Sequence, residues 1–238
     1  MSNRLTIFAL FFVITFAILF WVTTVSVYAF DLSKSNFRVL HIGDSHVCGC
    51  YGEEVHKGLV NVFGKDNVVT VGIGGAILNN FFNGKRHCNI RCLGCDNNNL
   101  NVGECDRDVF KSLSNGNFEY DVVIVSLGSN YRGKRRVVKY NKYIGKFLDL
   151  MYKDGTMCFW VGAAKSKRDY IDSRVINKYL ERYVGNYCYF IDPAEIVQLR
   201  WLSPDLLHFS RYGCNVFSNF VVSEVAGLLK LFCKYWIN

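Results

Sequence analysis

The 238-residue chain carries only 2 prolines, which excludes a proline-rich linker. It has no repeat of fixed period, which excludes a solenoid or propeller array. No long low-complexity tract occurs; the nearest candidate, the polar "DNNNLN" at 96–101, reads as a loop. Acidic residues are outnumbered, 20 Asp and Glu against 28 Lys and Arg, for a formal charge of +8. Such a balance favours anionic partners such as nucleic acid, lipid head groups or acidic glycans. No aromatic RNA-binding motif, zinc-finger spacing or helix-turn-helix pattern accompanies the charge, so no nucleic-acid module is expected. The densest basic run, "RGKRRVVK" at 132–139, reads as a solvated loop and helix start.

The chain is 50% hydrophobic and 20% charged, enough for one globular domain with a proper core plus a terminal segment. That segment is residues 1–29. After Arg4, the stretch Leu5–Val22 contains only Thr6 and Thr15 as polar residues. It is long enough to cross a bilayer as a helix, and Val27 and Ala29 supply the small residues of a signal-peptide cleavage site. Its apolar part exceeds the usual ~7–15 residues of a cleaved signal, which leaves an uncleaved anchor, and membrane contact through 5–28, open. Either reading exports the body, residues 30–238, to the periplasm, the outside, or an outward-facing membrane surface.

Ten cysteines agree with an oxidising compartment. Cys88, Cys92, Cys95 and Cys105 lie in a Gly/Asn-rich insertion at 84–106 with few apolar residues to hold it. Disulfides suit it. The rival is a metal site, since Cys92-x-x-Cys95 has zinc-ligand spacing beside His87; a second Cys-x-x-Cys is missing, so disulfides are favoured and no metal or other cofactor is expected. Cys48 and Cys50 follow Ser45 closely and could pin its loop.

From residue 37 onward, short β-type runs alternate with helical stretches. The strands are expected at 37–42, 67–73, 120–127, 157–163 and 186–192; their continuous apolar character points to a parallel sheet buried on both faces. Helical spacing groups Val55, Leu59 and Val62; then Tyr140, Ile144, Phe147 and Met151; then Val175, Tyr179 and Tyr183; and 214–232 reads as a long apolar terminal helix. The alternation implies a doubly wound α/β sheet with its site beyond the carboxyl ends of the strands.

Just past successive strands come Ser45 in "GDSH", the glycines of "GIGGAILNN", Asn130 in "LGSN", and Asp205 and His208 in "PDLLHFS". Singly, each is a common turn, cap or core residue. Together they suit acyl transfer. A serine hydroxyl needs a base, and imidazole titrates near neutrality. A carboxylate beside the ring fixes its tautomer. A tetrahedral intermediate needs hydrogen-bond donors for its oxyanion, which the backbone N–H of Ser45 and Gly75 and the amide of Asn130 could supply.

The blocks "GDSH" (43–46), "GGA" (74–76), "GSN" (128–130) and "DLLH" (205–208) resemble those of the SGNH (GDSL-type) hydrolase superfamily, over about residue 37 to the C-terminus. The resemblance implies a three-layer α/β/α, flavodoxin-like parallel sheet and metal-free ester hydrolysis. Ser45 would be nucleophile, His208 base and Asp205 its orienter, with Ser45, Gly75 and Asn130 lining the oxyanion hole. Gly75 is chosen because the motif's glycine precedes a small or polar residue, here Ala76. Two positions depart from the pattern: His46 stands where Leu or a similar residue is usual, and Tyr131 where the Asn block commonly continues with Asp. No Gly-x-Ser-x-Gly elbow occurs, which disfavours an ordinary α/β-hydrolase.

The expectation is an exported serine esterase acting on O-acyl, chiefly O-acetyl, esters of a small molecule or of envelope carbohydrate. A lipase or thioesterase, an O-acyltransferase using a sugar hydroxyl, and an inactive glycan-binding envelope protein on the same scaffold are the alternatives. Oligomeric state cannot be read from the sequence.

Overall fold

The structure is a computed structural model that describes residues 36–84, 89–95, 108–114, 119–152, 156–167 and 172–236. The segment 1–29, His87, Cys88, Cys105 and most of the insertion lie outside the described residues. Leu32–Leu229 is one compact unit and carries the sheet and the candidate site. Of the second unit only residues 230–236, the end of the last helix, are described.

Six strands form one sheet: β1 (Val39–Gly43), β2 (Val68–Ile73), β3 (Ile90–Leu93), β4 (Val122–Ser126), β5 (Met157–Val161) and β6 (Cys188–Ile191). Their spatial order is β3-β2-β1-β4-β5-β6. The chain winds outward from β1 through β2, returns, and winds the other way through β4, so the order reverses between β1 and β4. The crevice of such a sheet opens at that reversal. The pairing of β1 with β2 and β4, of β4 with β5 and of β5 with β6 is parallel. The expected all-parallel sheet needs one correction: β3 runs antiparallel along β2. Its sequence, Ile-Arg-Cys-Leu, lacks the continuous apolar run of a central strand and occupies an edge.

Eight helices are described: α1 (Ser45–Cys48), α2 (Cys50–Phe63), α3 (Asn79–Asn83), α4 (Val109–Ser114), α5 (Lys134–Tyr152), α6 (Ser173–Val184), α7 (Pro193–Ile196) and α8 (Arg211–Trp236). In β1, Leu40 and Ile42 join the core formed with Phe81, Phe110, Phe147 and Leu180 of α3 to α6. His41 faces the other way, toward Tyr51 of α2. On that side α2 meets α8 so closely that a Cβ on Gly58 would come within 2.8 Å of Val222. Helices therefore cover both faces, making three layers.

The apolar stripes largely follow the sequence periodicity. Val55, Leu59 and Phe63 are buried in α2, while Val62 of the expected stripe is only partly covered; in α5 Ile144, Phe147 and Met151 are buried and Tyr140 is partly covered. In α6 the expected stripe is displaced by one position: Ile176, Leu180 and Val184 are buried, while Tyr179 and Tyr183 are only partly covered. Asp172 caps this helix by accepting from Val175 N at 3.1 Å. Helix α8 is long and apolar enough to cross a membrane by length and composition. Its buried Cys214, Phe217, Val221, Val225 and Leu229, spaced three to four residues apart, make it an amphipathic core helix over this span.

Three disulfides join described cysteines. Cys158–Cys188 links register partners on β5 and β6. Cys92–Cys95 closes on itself, so the zinc-like spacing belongs to a bonded pair. Cys50–Cys214 ties the start of α2 to α8; of the two cysteines expected to pin the Ser45 loop, Cys50 does so through this bond. The Cys48 thiol points at Asn89 O instead, at 3.6 Å.

Candidate active site

Strand β1 ends at Gly43, where any side chain would collide: a Cβ there would lie 2.1 Å from Val47 and 2.7 Å from the Ser126 carbonyl. Only glycine lets β1, β4 and α1 approach this closely. Asp44 then caps α1, its Oδ1 accepting from His46 N at 3.0 Å. Ser45 is thus the first residue of a helix set between β1 and the crevice. Its hydroxyl lies 2.9 Å from His208 Nε2.

His208 comes from the loop between α7 and α8. Its Nδ1 lies 2.5 Å from Asp205 Oδ2. The other carboxylate oxygen of Asp205 accepts from the Ser203 hydroxyl at 2.7 Å, from Leu207 N at 3.0 Å and from His208 N at 2.9 Å. Burial pushes the Asp205 carboxyl up, but the bonds from Ser203, the His208 ring and the two amides outweigh it and hold the group well below the usual carboxylate range. Between Asp205 and Leu207, Leu206 adopts the left-handed conformation at φ 59°, a strained backbone for a branched residue. Its N–H donates to Ser203 O at 2.9 Å, and its carbonyl accepts from Lys167 N at 3.2 Å and the Ser166 hydroxyl at 3.0 Å.

The expected oxyanion residues fall on the same rim. Gly75 follows β2, neighbour of β1, and turns at φ 65°, a conformation that favours glycine. It is exposed, and its N–H has no partner among the described residues. Asn130 follows β4, on the other side of β1. Its Nδ2 donates one hydrogen to Asp44 Oδ2 at 2.9 Å, which fixes the amide and leaves the second hydrogen for a ligand. Sequence reasoning gave Asp44 no role, yet this 2%-exposed carboxylate binds both the helix that carries Ser45 and the amide of Asn130. The available signal was an Asp at a strand-to-helix junction, an N-cap position.

His46 packs its ring against His208 and Phe209, with centroids 5.1 Å away in each case. Both its ring nitrogens are shielded from solvent and unbonded among the described residues. Burial lowers its pKa first, and the neighbouring His208 adds to this against the opposing pull of Asp44 and Asp205. Tyr131 is fully buried. A pocket is lined by Asp44, His46, Tyr51, Ser126, Ser129 and Phe209 among others; Ser45 and His208 do not line it.

This architecture, a mainly parallel sheet between helices with its polar set at the β1/β4 reversal, is a three-layer α/β/α fold. Solved structures that share it include a peptidoglycan O-acetylesterase, at 10% identity and TM-score 0.54 over 84% of this chain and 94% of that one. A carbohydrate acetylesterase family member from Sinorhizobium meliloti matches at 15% identity and TM-score 0.51, covering 80% and 100%. An inhibitor-bound aryl esterase of M. smegmatis matches at 13% identity and TM-score 0.52, covering 81% and 99%. At such identities the likeness is one of fold. No protein-family model matches the sequence, and no curated protein matches it.

Proposed function

We propose that the protein is an exported serine esterase that hydrolyses O-acyl, chiefly O-acetyl, esters on carbohydrate. The observation that carries this reading is the unbroken relay from Ser45 Oγ through the His208 ring to Asp205 Oδ2. With Asp205 ionised, Nδ1 carries the proton and Nε2 offers its lone pair to the serine hydroxyl. Ser45 Oγ attacks the acyl carbon as its proton passes to Nε2. The carbonyl electrons move onto oxygen, where the N–H groups of Ser45 and Gly75 and the free Asn130 hydrogen receive the oxyanion. Collapse expels the alcohol, which takes the proton from the imidazolium and leaves an acyl-serine. Water, deprotonated by the same nitrogen, attacks next; the acid departs and Ser45 recovers its hydrogen.

The acetylesterases among the similar structures support acetyl esters of carbohydrate as the substrate class. The three disulfides support an oxidising compartment, as does the apolar segment at 5–28. The test is hydrolysis of p-nitrophenyl acetate by the full chain and by Ser45→Ala. A loss of about 10⁴-fold or more in kcat is expected; equal rates overturn the reading. Acetate release from acetylated glycan, compared with release from long-chain esters, separates acetyl esterase from lipase.

A further inference from the structure

On the outer face of α5, Arg135, Lys139, Lys142 and Lys146 are exposed at spacings of four, three and four residues. That spacing aligns them in one stripe, opposite the buried Val137, Ile144, Phe147 and Met151. The stripe is roughly 16 Å long at the helical rise. The only acidic residue on α5 is Asp149, and none of the four cations pairs with a carboxylate among the described residues. Like charges three and four apart destabilise the helix that bears them, so the stripe exists at the expense of its own element.

Two contacts of α5 lie near the elements that carry Asn130 and Gly75. Beside it, Arg136 Nη1 donates to the Asn130 carbonyl at 3.4 Å. Farther along, the Lys146 ammonium lies 4.3 Å from the centroid of Phe82 on α3, the helix that follows the Gly75 turn. Tyrosines are interleaved with the charges: Lys139 lies over Tyr140 at 5.4 Å and Lys142 over Tyr143 at 5.1 Å. Both rings are half-buried and offer flat apolar edges next to cations.

We propose that this face of α5 is a rail for an anionic polysaccharide, and that the esters cleaved at Ser45 are carried on such an acidic glycan. Binding to the rail follows from the charge pattern, whereas cleavage of the bound glycan rests on the esterase reading. A linear polyanion matches a line of cations. A bilayer presents a plane, and the one exposed large apolar side chain on α5 is Val138, too little to anchor in lipid. A carboxylate repeated along the polymer meets successive ammonium and guanidinium groups, while its sugar faces lie on the tyrosine edges.

The test neutralises the rail with R135Q/K139Q/K142Q/K146Q, glutamine being a good helix former, so that thermal stability equal to or above the parent's certifies the fold. Binding is measured on a Ser45→Ala background with polygalacturonate as probe, independently of turnover. The parent charge pattern should bind with strong salt dependence, and neutralisation should weaken binding at least tenfold. In the active protein, KM for partly acetylated polygalacturonate should rise by a similar factor, with kcat, p-nitrophenyl acetate hydrolysis and KM for neutral acetylated xylan unchanged. Equal binding by both forms overturns the rail. So does binding of phosphatidylglycerol vesicles or single-stranded DNA as tight as that of polygalacturonate. Loss of binding in a protein that hydrolyses no ester upholds the rail and removes the esterase reading instead.

Discussion

The two sides of the candidate site are built by different physics. Ser45, Gly75 and Asn130 stand on a wall made by β1, β2 and β4, with Asp44 buried beneath and a glycine at 43 that no other residue can replace without collision. Asp205 and His208 stand on an arm that is neither helix nor strand, and their side chains remain 38% and 39% exposed. The wall takes its geometry from the core, so its residues bear on stability and chemistry together. The arm takes its geometry from a few bonds to one carboxylate and from a strained Leu206, so its residues bear on chemistry far more than on stability.

Asp205→Asn gives the largest effect that separates the two. The new side chain keeps an oxygen for Ser203 and the two amides, so the turn survives, but it presents an amide to His208 Nδ1 and favours the wrong tautomer. We expect kcat to fall by roughly 10³–10⁴-fold, with the thermal midpoint within about 2 °C of the parent, as for a surface substitution. A midpoint that drops by 10 °C or more would show that the arm is part of the core and erase the distinction.

Wall and arm are tied together by Cys50–Cys214, one end just after Ser45 and the other just after His208, across a sequence separation of 164. Cys92–Cys95 spans a separation of only 3. In the chain-entropy account a cross-link stabilises more the longer the loop it closes. The Cys50→Ser/Cys214→Ser protein should therefore lose about 2–5 kcal/mol of unfolding free energy in urea, and Cys92→Ser/Cys95→Ser markedly less. Equal losses would mean that the long bond does not constrain the two sides.

The wall was easier to read from sequence than its surroundings. Short apolar runs mark parallel strands, aliphatic in β1, β2 and β4 and largely aromatic in β5 and β6, so these five were legible, and with them the rim where Ser45, Asn130 and Asp205–His208 fall. Strand β3 was not, because Ile-Arg-Cys-Leu in a Cys- and Asn-rich segment draws its order from pairing with β2 and a disulfide rather than from an apolar run. The one-residue rotation of α6 was hidden because tyrosine is apolar enough to count toward either stripe; burial of Ile176 and Leu180 decided it. Asp44 was visible as a cap, but its bond to Asn130 joins positions 86 apart in the chain, and periodicity carries no such information.

The smallest effect concerns a histidine inside the wall. His41 lies in mid-β1, fully buried, with Nε2 3.0 Å from the Ser126 hydroxyl, which also meets Tyr51 OH at 3.2 Å. Its Nδ1 has no partner among the described residues. Burial, aided by His56, lowers its pKa to about 3. Between about pH 6.5 and about pH 3 the unfolded chain then binds a proton at this position that the folded chain refuses. Stability therefore rises with pH across that window, is fully present above it, and falls as the solution is acidified. The limiting slope for one such group is about 1.4 kcal/mol per pH unit. His46 and the half-buried His56, also lowered by burial, act with the same sign and steepen it. His41→Gln keeps a polar side chain near Ser126 but cannot titrate, so its unfolding free energy, followed in urea from pH 6.5 to pH 4, should fall by about 1 kcal/mol less per unit than the parent's, whatever its level at neutral pH. On the arm, Asp205 stays ionised through this range, because its carboxyl is held below it. Parallel slopes for parent and variant would show that the buried imidazole takes no part and that the acid sensitivity of the wall lies elsewhere.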